Sequence, residues 1–497
     1  MAIGGLDIGS TGAKITVLEE SGTPLHTGYA EYARNTGPHE VDPESIWAAV
    51  KRLLADAAKA VPTIEAVGIT SFGESFALLD EHDGVLMPSM MYTDPRGEAE
   101  ANWLREKLGA EAIGSIAGAA PHSMFSLPKL MWVKRNQPDL FLRAKRVCLI
   151  VDYLVYKLTG RRLIDYSLAA RTMGLDVRNL CWSETIFNAA DIDPALFSKP
   201  VPSGTDAGVI LPSLAEELGV HRGLRVVVCC HDQVAAAVGA GVTRPGIAID
   251  GAGTTQCVTP VFSPMPPGNA LQNSNYPVVP FLWPDTYCTY AFTFTGGSLV
   301  KWFVDNFAGI GRQEAAEKGI SVYDFLESHM RDEPTGILAL PHFAGSGTPT
   351  MDTGSRGAVV GLTLSHRPAD LYRAVLEGIA YEMRLNLERL SEADIFVSGL
   401  NASGGGAKSA LWLQMKADIL GVPVTRMSVD EAGTVGGIML TGVATGVYQD
   451  LDEAAGVLVR PLRVYEPRQV MRERYGEHYL RYRGLYDAVR PLVGGGW

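Results

Sequence analysis

The fold is decided by residues 225–255, which read RVVVCCHDQVAAAVGAGVTRPGIAIDGAGTT. The apolar run at 225–230 predicts a buried strand, and the alanine-rich run behind it predicts a helix. A second apolar run, at 247–250, predicts another buried strand that ends in the small residues of a turn at 251–255. This order predicts an α/β fold around an open sheet.

Asp232 falls where such sheets carry their ligand chemistry, at the carboxyl end of a strand. The turn at 251–255 offers backbone amides and hydroxyls without a bulky side chain, which suits phosphate oxygens. A single carboxylate beside a phosphate-binding turn is typical of a phosphoryl transferase. The alternative for Asp232 is a helix N-cap ahead of the alanine-rich run.

Length and charge restrict the class of protein. A chain of 497 residues predicts two or three domains, and a net charge of −12 disfavours nucleic acid as a partner. Small molecules are the expected ligands. No 18-residue apolar run suggests a membrane span, and no leader-like segment is evident near the start. The six cysteines lack CxxC spacing, which favours reduced thiols and a cytoplasmic location.

A near repeat relates the two halves of the chain. Gly9-Ser10-Thr11 follows an apolar strand at 3–8 and precedes a second strand, which predicts a hairpin with a phosphate-sized turn. The same theme returns at Gly253-Thr254-Thr255. With a plausible linker at 243–246, the repeat predicts two similar domains, residues 1–243 and 244–497, facing a shared cleft.

The polar loop after the predicted strand at 66–70 carries candidate substrate contacts. Glu74, Asp94 and Arg96 stand out, because loops at strand ends commonly collect ligand contacts. Asp94 precedes a proline, so ordinary turn chemistry is an equal alternative for it.

Further glycine turns follow predicted strands in the second half. A strand at 395–398 is expected to lead into Gly404-Gly405-Gly406, and the residues after that turn have helical periodicity. Three glycines allow a flat group such as adenine to approach the backbone, although a flexible turn is the alternative.

The sequence resembles the FGGY family of carbohydrate kinases, within the sugar kinase, Hsp70 and actin superfamily. The resemblance runs from Ile3 to about Gly446. It rests on five stretches in the family's order: DIGST (7–11), SLPKLMW (126–132), HDQVAAAVGAG (231–241), GAVVGL (357–362) followed by Asp370-Leu371 and Glu377, and SGGGAKSALWLQMKADILGVPV (403–424).

This resemblance implies an α/β protein of two ribonuclease-H-like, actin-like ATPase domains flanking a cleft. It further implies an ATP-dependent kinase that phosphorylates a sugar hydroxyl, with Mg²⁺ bound beside the nucleotide. By motif matching, Asp232 is the expected general base and Asp7 helps to hold Mg²⁺ through water. The expected ATP-binding residues are Thr11, Lys14, Gly253, Thr254, Gly296, Gly405, Gly406 and Ser409.

The acceptor is expected to be a ketose, either a pentulose or a deoxyhexulose, bound by Glu74, Asp94, Asp232 and Gln233. Xylulose kinases resemble the chain in length and plan, whereas Gly73 and Met124 depart from the glycerol kinase pattern. A polyol or sugar-acid kinase, and a non-catalytic ATPase of the actin or Hsp70 kind, are the alternatives. A homodimer is compatible with the resemblance, and no membrane partner is expected.

Overall fold

The computed structural model describes residues 1–33 and 36–493 and has the mixed α/β architecture that was predicted. Its strands are β1 (Ala2–Ile8), β2 (Gly12–Glu19), β3 (Pro24–Glu31), β4 (Glu40–Val41), β5 (Ile64–Ser71), β6 (Phe76–Leu79), β7 (Ser89–Met90), β8 (Arg146–Leu149), β9 (Leu163–Asp165), β10 (Leu175–Asp176), β11 (Cys181–Trp182), β12 (Lys199–Val201), β13 (Thr205–Val209), β14 (Arg225–His231), β15 (Ile247–Ala252), β16 (Gln256–Phe262), β17 (Val279–Pro280), β18 (Tyr287–Cys288), β19 (Ala291–Thr293), β20 (Leu338–Leu340), β21 (Ala358–Val360), β22 (Gly399–Ser403), β23 (Val424–Met427) and β24 (Pro461–Tyr465).

The helices cover both faces of the sheets and include short connecting segments. They are α1 (Pro43–Ala60), α2 (Glu98–Leu108), α3 (Ala110–Ala117), α4 (Ser126–Asn136), α5 (Pro138–Arg143), α6 (Ile150–Thr159), α7 (Tyr166–Ala170), α8 (Glu184–Ala190), α9 (Pro212–Leu218), α10 (Asp232–Gly239), α11 (Ala270–Asn273), α12 (Gly297–Phe307), α13 (Gly309–Glu317), α14 (Val322–Ser328), α15 (Pro368–Ser391), α16 (Ala410–Leu420), α17 (Ala432–Ala444), α18 (Leu451–Leu458), α19 (Gln469–Tyr482) and α20 (Leu485–Val493).

The first half of the chain is built on a sheet with the strand order β13-β14-β5-β1-β2-β3. β14, β5 and β1 run parallel, while β13, β2 and β3 pair antiparallel with their neighbours. β1 and β2 form the predicted hairpin, in which Ile8 pairs with Ala13 across the turn. On one face lies α1, whose start is fixed by the Asp42 side chain accepting from the Glu44 N–H at 3.0 Å.

The second sheet repeats this plan. Its eight strands include the order β24-β23-β22-β15-β16-β18-β17, and β19 also pairs with β16. The central three strands β23, β22 and β15 are parallel, and the outer pairs are antiparallel. β15 and β16 form the second predicted hairpin, in which Ala252 pairs with Gln256. The repeat of small residues in the sequence therefore marks two structurally matching hairpins.

Two helices, α10 and α17, cross in direct contact between the sheets. Each follows the third parallel strand of its sheet, β14 and β23 respectively. A Cβ atom on Gly239 would lie 1.9 Å from the carbonyl oxygen of Ala432, and one on Gly436 would lie 1.9 Å from that of Ala235. Glycine is needed at both positions because the two helix backbones touch.

The second half of the chain contributes to the core of the first. Val435, Ile438 and Met439 of α17 are buried in the same apolar cluster as β1 and β5. The expected domain boundary between residues 243 and 244 falls in the loop between α10 and β15. Nevertheless α17, from the second half of the chain, packs against β1 and β5 of the first half.

One predicted strand is displaced. Residues 395–398 precede β22 instead of forming it, because pairing with β15 begins where Gly399 meets Ile247. Ile395 is buried although it has no pairing partner in the sheet, and Phe396 is 67% exposed. Across the part of the chain that the structure describes, no helix combines the length and apolar character needed to cross a membrane.

Candidate active site

Asp232 is the first residue of α10 and follows β14 without an intervening loop. β14 is buried through His231, whereas 27% of the Asp232 side chain is accessible. The N-cap position belongs to His231, which makes no side-chain cap, so the capping alternative for Asp232 is wrong. His231 Nδ1 lies 2.8 Å from the hydroxyl of Tyr290, and its Nε2 lies 3.3 Å from Oδ1 of Asp232.

The surroundings of Asp232 favour its protonated form. Burial, followed by the charges of Asp7 and Glu74, raises the pKa of Asp232 to about 8, although hydrogen bonds from Gln233 lower it. Burial also lowers the pKa of His231 well below its usual value, so the neighbouring imidazole is neutral and supplies no counter-charge. The ionised form of a carboxyl whose pKa is near neutrality is suited to take a proton from an alcohol.

Glu74 is held by a buried arginine that the sequence did not indicate. Arg171 Nε donates to Oε1 of Glu74 at 2.6 Å, and both side chains are about 5% exposed. The guanidinium lies 5.0 Å from the Phe125 ring centroid and 5.6 Å from that of Tyr290. Glu74 has a left-handed backbone with φ of 64°, a conformation that persists only where the surroundings fix it.

The Asp94 carboxylate is occupied by Arg96. Arg96 Nε donates to Oδ1 and Oδ2 of Asp94 at 2.9 and 3.0 Å, and the Arg96 backbone N–H donates to Oδ1 at 2.9 Å. Although burial raises the pKa of Asp94, the bonds from Arg96 outweigh it and lower the pKa overall. The arginine also pairs with Glu40 at 2.6 Å. The bond from the Arg96 backbone N–H to Asp94 is the turn chemistry given above as the alternative role of Asp94. A role for Asp94 in sugar binding stays a prediction.

A cavity of about 380 Å³ joins the first hairpin turn to this loop. Thr11, Glu40, Tyr92 and Thr93 are among its lining residues. Burial raises the pKa of Tyr92, and the charges of Glu74 and Asp232 add to the effect, which places the phenol near both acids. The cavity therefore connects the predicted phosphate turn with the predicted acceptor side.

The first hairpin brings three predicted residues together. A second cavity, of about 460 Å³, is lined by Asp7, Thr11 and Lys14. Lys14 Nζ is bonded to both carboxylate oxygens of Glu431 at 2.8 Å, across the boundary between the halves. Asp7 packs so closely against the start of α17 that a Cβ atom on Gly433 would lie 2.5 Å from its Oδ2.

The donor set at Asp7 fits Mg²⁺ held with a nucleotide. Burial raises the pKa of Asp7 to about 6, with Lys14 lowering and Glu431 raising it. Because the charge of Asp7 raises the pKa of Asp232, a cation between the two carboxylates would reduce their repulsion. No group of three His, Cys, Asp or Glu side chains suited to a metal occurs in residues 1–33 and 36–493. One or two carboxylates completed by phosphate oxygens and water are typical of Mg²⁺.

The second hairpin borders the largest of these cavities, of about 680 Å³. Five of the predicted ATP-binding residues line it together, namely Gly253, Thr254, Gly405, Gly406 and Ser409. Its apolar wall is formed by Val300, Tyr372, Leu376 and Trp412.

Gly405 leaves the most room in this cavity, since a Cβ atom there would meet nothing within 4 Å. Ser409 has a second task as the N-cap of α16, where its hydroxyl accepts from the Trp412 N–H at 3.0 Å. Gly296 lies behind the cavity wall: its N–H donates to the carbonyl of Thr254 at 3.0 Å, and the next residue, Gly297, lines the space.

Sequence reasoning missed the partners of the predicted residues. Arg171 lies in an alanine-rich stretch, AARTMG, which gave no sign of a buried cation. Glu431 lies between β23 and α17, and its contact with Lys14 depends on how α17 meets the first sheet. Tyr290 is far from His231 in sequence and carries no local motif.

Comparisons with known proteins cover both halves. Residues 2–239 match the N-terminal domain, and residues 252–445 the C-terminal domain, of the FGGY family of carbohydrate kinases. Xylulose kinase of Staphylococcus epidermidis is 27% identical over 503 residues, which cover 98% of this chain and 97% of that protein. Gluconokinase of Bacillus subtilis is 28% identical over 463 residues, which cover 91% of this chain and 90% of that protein.

A solved structure supports the same architecture. The ligand-bound xylulose kinase from Lactobacillus acidophilus superposes with a TM-score of 0.89 at 23% identity, covering 99% of each chain. The predicted fold of two actin-like ATPase domains is thereby confirmed.

Proposed function

Because this chain belongs to the FGGY family of carbohydrate kinases, which are phosphotransferases acting on sugar hydroxyls, we propose that it phosphorylates a ketose. The phosphoryl donor is MgATP, and the acceptor is a hydroxyl of a pentulose or deoxyhexulose. Asp232 is the general base.

The observation that carries this proposal is the environment of Asp232. Burial, with the charges of Asp7 on the proposed phosphate side and Glu74 on the proposed acceptor side, raises the pKa of its carboxyl to about 8. A base between an acceptor and a phosphate group can remove the proton from the attacking hydroxyl as the new bond to phosphorus forms.

The remaining residues then have simple tasks in the transfer. Glu74, fixed by Arg171, accepts from a sugar hydroxyl, and Gln233 orients Asp232. Backbone amides of the two hairpin turns and the Lys14 ammonium hold phosphate oxygens. Asp7 would hold the Mg²⁺ of the nucleotide, and that ion supplies positive charge to the phosphate oxygens. The acceptor oxygen bonds to the γ-phosphorus, the bond to the bridging oxygen breaks, and ADP leaves.

A neutral acceptor is favoured over a sugar acid. In the described part of the chain, the cations of this cleft already have partners: Glu74 holds Arg171, Asp94 holds Arg96, and backbone carbonyls of Asp94 and Ser123 hold Lys129. A substrate carboxylate would therefore lie beside the two acids Glu74 and Asp232 and would find no unpaired counter-ion among Arg171, Arg96 and Lys129. The likeness to a gluconokinase keeps a sugar-acid kinase as the second candidate.

An ADP-release assay with equal concentrations of ketopentoses, ketohexoses, polyols and aldonates tests the proposal. We expect one ketose to stimulate ADP release most strongly, with stoichiometric sugar phosphate detected by mass spectrometry. Preference for gluconate or another aldonate would favour the second candidate. ADP release that no sugar, polyol or aldonate changes would contradict both and indicate an ATPase of another kind.

A further inference from the structure

A fully buried polar cluster lies behind the cavity of about 680 Å³ described above. Lys416, on α16, donates to Oδ2 of Asp250 at 2.6 Å and to Oε1 of Gln256 at 3.3 Å. The amide nitrogen of Gln256 donates to the other oxygen of Asp250. Lys416 and Asp250 have no exposed side-chain surface, and Gln256 is 1% exposed. The three side chains therefore satisfy one another away from water.

The cluster connects the two turns that line the cavity. Asp250 precedes and Gln256 follows the turn at 253–255, so the cluster grips that hairpin on both sides. Lys416 belongs to the helix that begins immediately after the turn at 404–408. A single lysine thus connects the turn at 253–255 with the helix that follows the turn at 404–408.

Lys416 also supports the cavity wall. Its ammonium lies 4.1 Å from the ring centroid of Trp412, which lines the cavity. Trp412 in turn packs against the glycine turn, since a Cβ atom on Gly406 would lie 2.6 Å from its ring. A displacement of Lys416 would therefore shift both the Trp412 ring and the backbone at Gly406.

Stability alone is a weak reason for such a cluster. Burial lowers the pKa of Lys416, with Asp250 opposing the change, because removing a charge from water is costly. Apolar side chains of similar volume commonly make a core at least as stable as a buried ion pair. What an apolar replacement lacks is the fixed geometry of directional hydrogen bonds.

We infer that Lys416 is a positioning residue for the nucleotide, acting through Asp250 and Gln256 to hold the turn at 253–255 in register with the turn at 404–408. This inference rests on the proposed function, in which those turns hold ATP. A displacement of about 1 Å in such a support can cost on the order of 10²-fold in rate. Partial loosening should weaken nucleotide binding by about tenfold and leave sugar binding unchanged.

The test separates positioning from stability with two variants. Lys416→Met leaves Asp250 buried without its cation and is expected to lower stability to urea. The triple variant Lys416→Met, Asp250→Val and Gln256→Met replaces the whole cluster by apolar side chains and is expected to recover most of that stability. The dissociation constant for ADP, measured by calorimetry, should remain about tenfold raised in the triple variant. Its KM for ATP should rise in parallel, while the KM for the preferred sugar stays within twofold of the wild type.

Two further proteins complete the design. Tyr482→Phe removes a buried hydrogen bond of 2.6 Å to Glu382 in the same half of the chain, and should lower stability without changing ADP affinity. Gln256→Met alone is the milder substitution, expected to raise the ADP dissociation constant severalfold in a folded protein. Wild-type ADP affinity in both the triple variant and Gln256→Met would overturn the inference and leave the proposed function intact. A wild-type protein that binds no ADP would instead refute the proposed function.

Discussion

Replacing Asp232 by asparagine should stabilise the folded protein, by an amount that grows with pH. The folded-state pKa of Asp232 is raised from 3.8 to about 8, so the folded protein binds this proton more tightly than the unfolded chain does. Ionisation above the unfolded pKa therefore opposes folding, and the wild type loses stability as pH rises towards 8. Asparagine removes this dependence.

The size of the effect follows from the same pKa. A change in pKa of one unit corresponds to about 1.4 kcal/mol, which also limits the slope to about 1.4 kcal/mol per pH unit. Between pH 5.5 and 8 the stability advantage of Asp232→Asn should thus widen by roughly 3 kcal/mol. Above the folded-state pKa the difference should level off.

Urea unfolding of both proteins at pH 5.5, 7 and 8.5 measures this difference. Asp80→Asn is the matched control: the backbone N–H groups of Gly84 and His82 lower the pKa of Asp80, so it stays ionised throughout this range. The control should differ from the wild type by an amount that does not vary with pH. A pH-independent difference for Asp232→Asn as well would refute the proposed environment of the base.

Two other predictions concern the two sides of the cleft. Gly405→Ala should leave stability unchanged but weaken ADP binding about tenfold in calorimetry, because the new methyl group enters the open cavity. Gly404→Ala is the contrasting variant. Because Gly404 has a left-handed backbone with a φ of 85°, alanine there should destabilise the protein by about 1 kcal/mol or more. Wild-type ADP affinity in Gly405→Ala would contradict the assignment of this cavity. Arg171→Met should lower the free energy of unfolding in urea by roughly 3 to 5 kcal/mol, since it leaves the Glu74 carboxylate buried and unpaired. A decrease below about 1 kcal/mol would show that Glu74 is not buried against Arg171 as described.

The strands and turns near the site were predictable because their signals are local. The apolar run before Asp232 and the small residues at 9–11 and 253–255 each specify a strand end and a turn within a few residues. The strand predicted at 395–398 instead begins at Gly399, for a physical reason. Side-chain burial and backbone pairing usually coincide in a strand, but here Ile395 is buried ahead of the first paired residue, Gly399.

The ion pairs of the site could not be predicted in this way. Glu431 meets Lys14, and Arg171 meets Glu74, only because distant segments fold onto the same surface. Hydrophobic periodicity contains no information about which charged side chains will face each other. Asp94 shows the converse in part: the proline after it indicated a local turn, whereas the bonds from Arg96 to its carboxylate were not predicted.

The central claim is that Asp232 takes the proton from the sugar hydroxyl. The direct measurement is kcat for phosphoryl transfer to the preferred sugar by Asp232→Asn, together with calorimetric binding of that sugar and of ADP. We expect kcat to fall by about 10²- to 10⁴-fold, as for the loss of a general base, while both ligands bind within severalfold of the wild type. A variant that retains kcat within tenfold of the wild type, with both ligands bound, would contradict the claim.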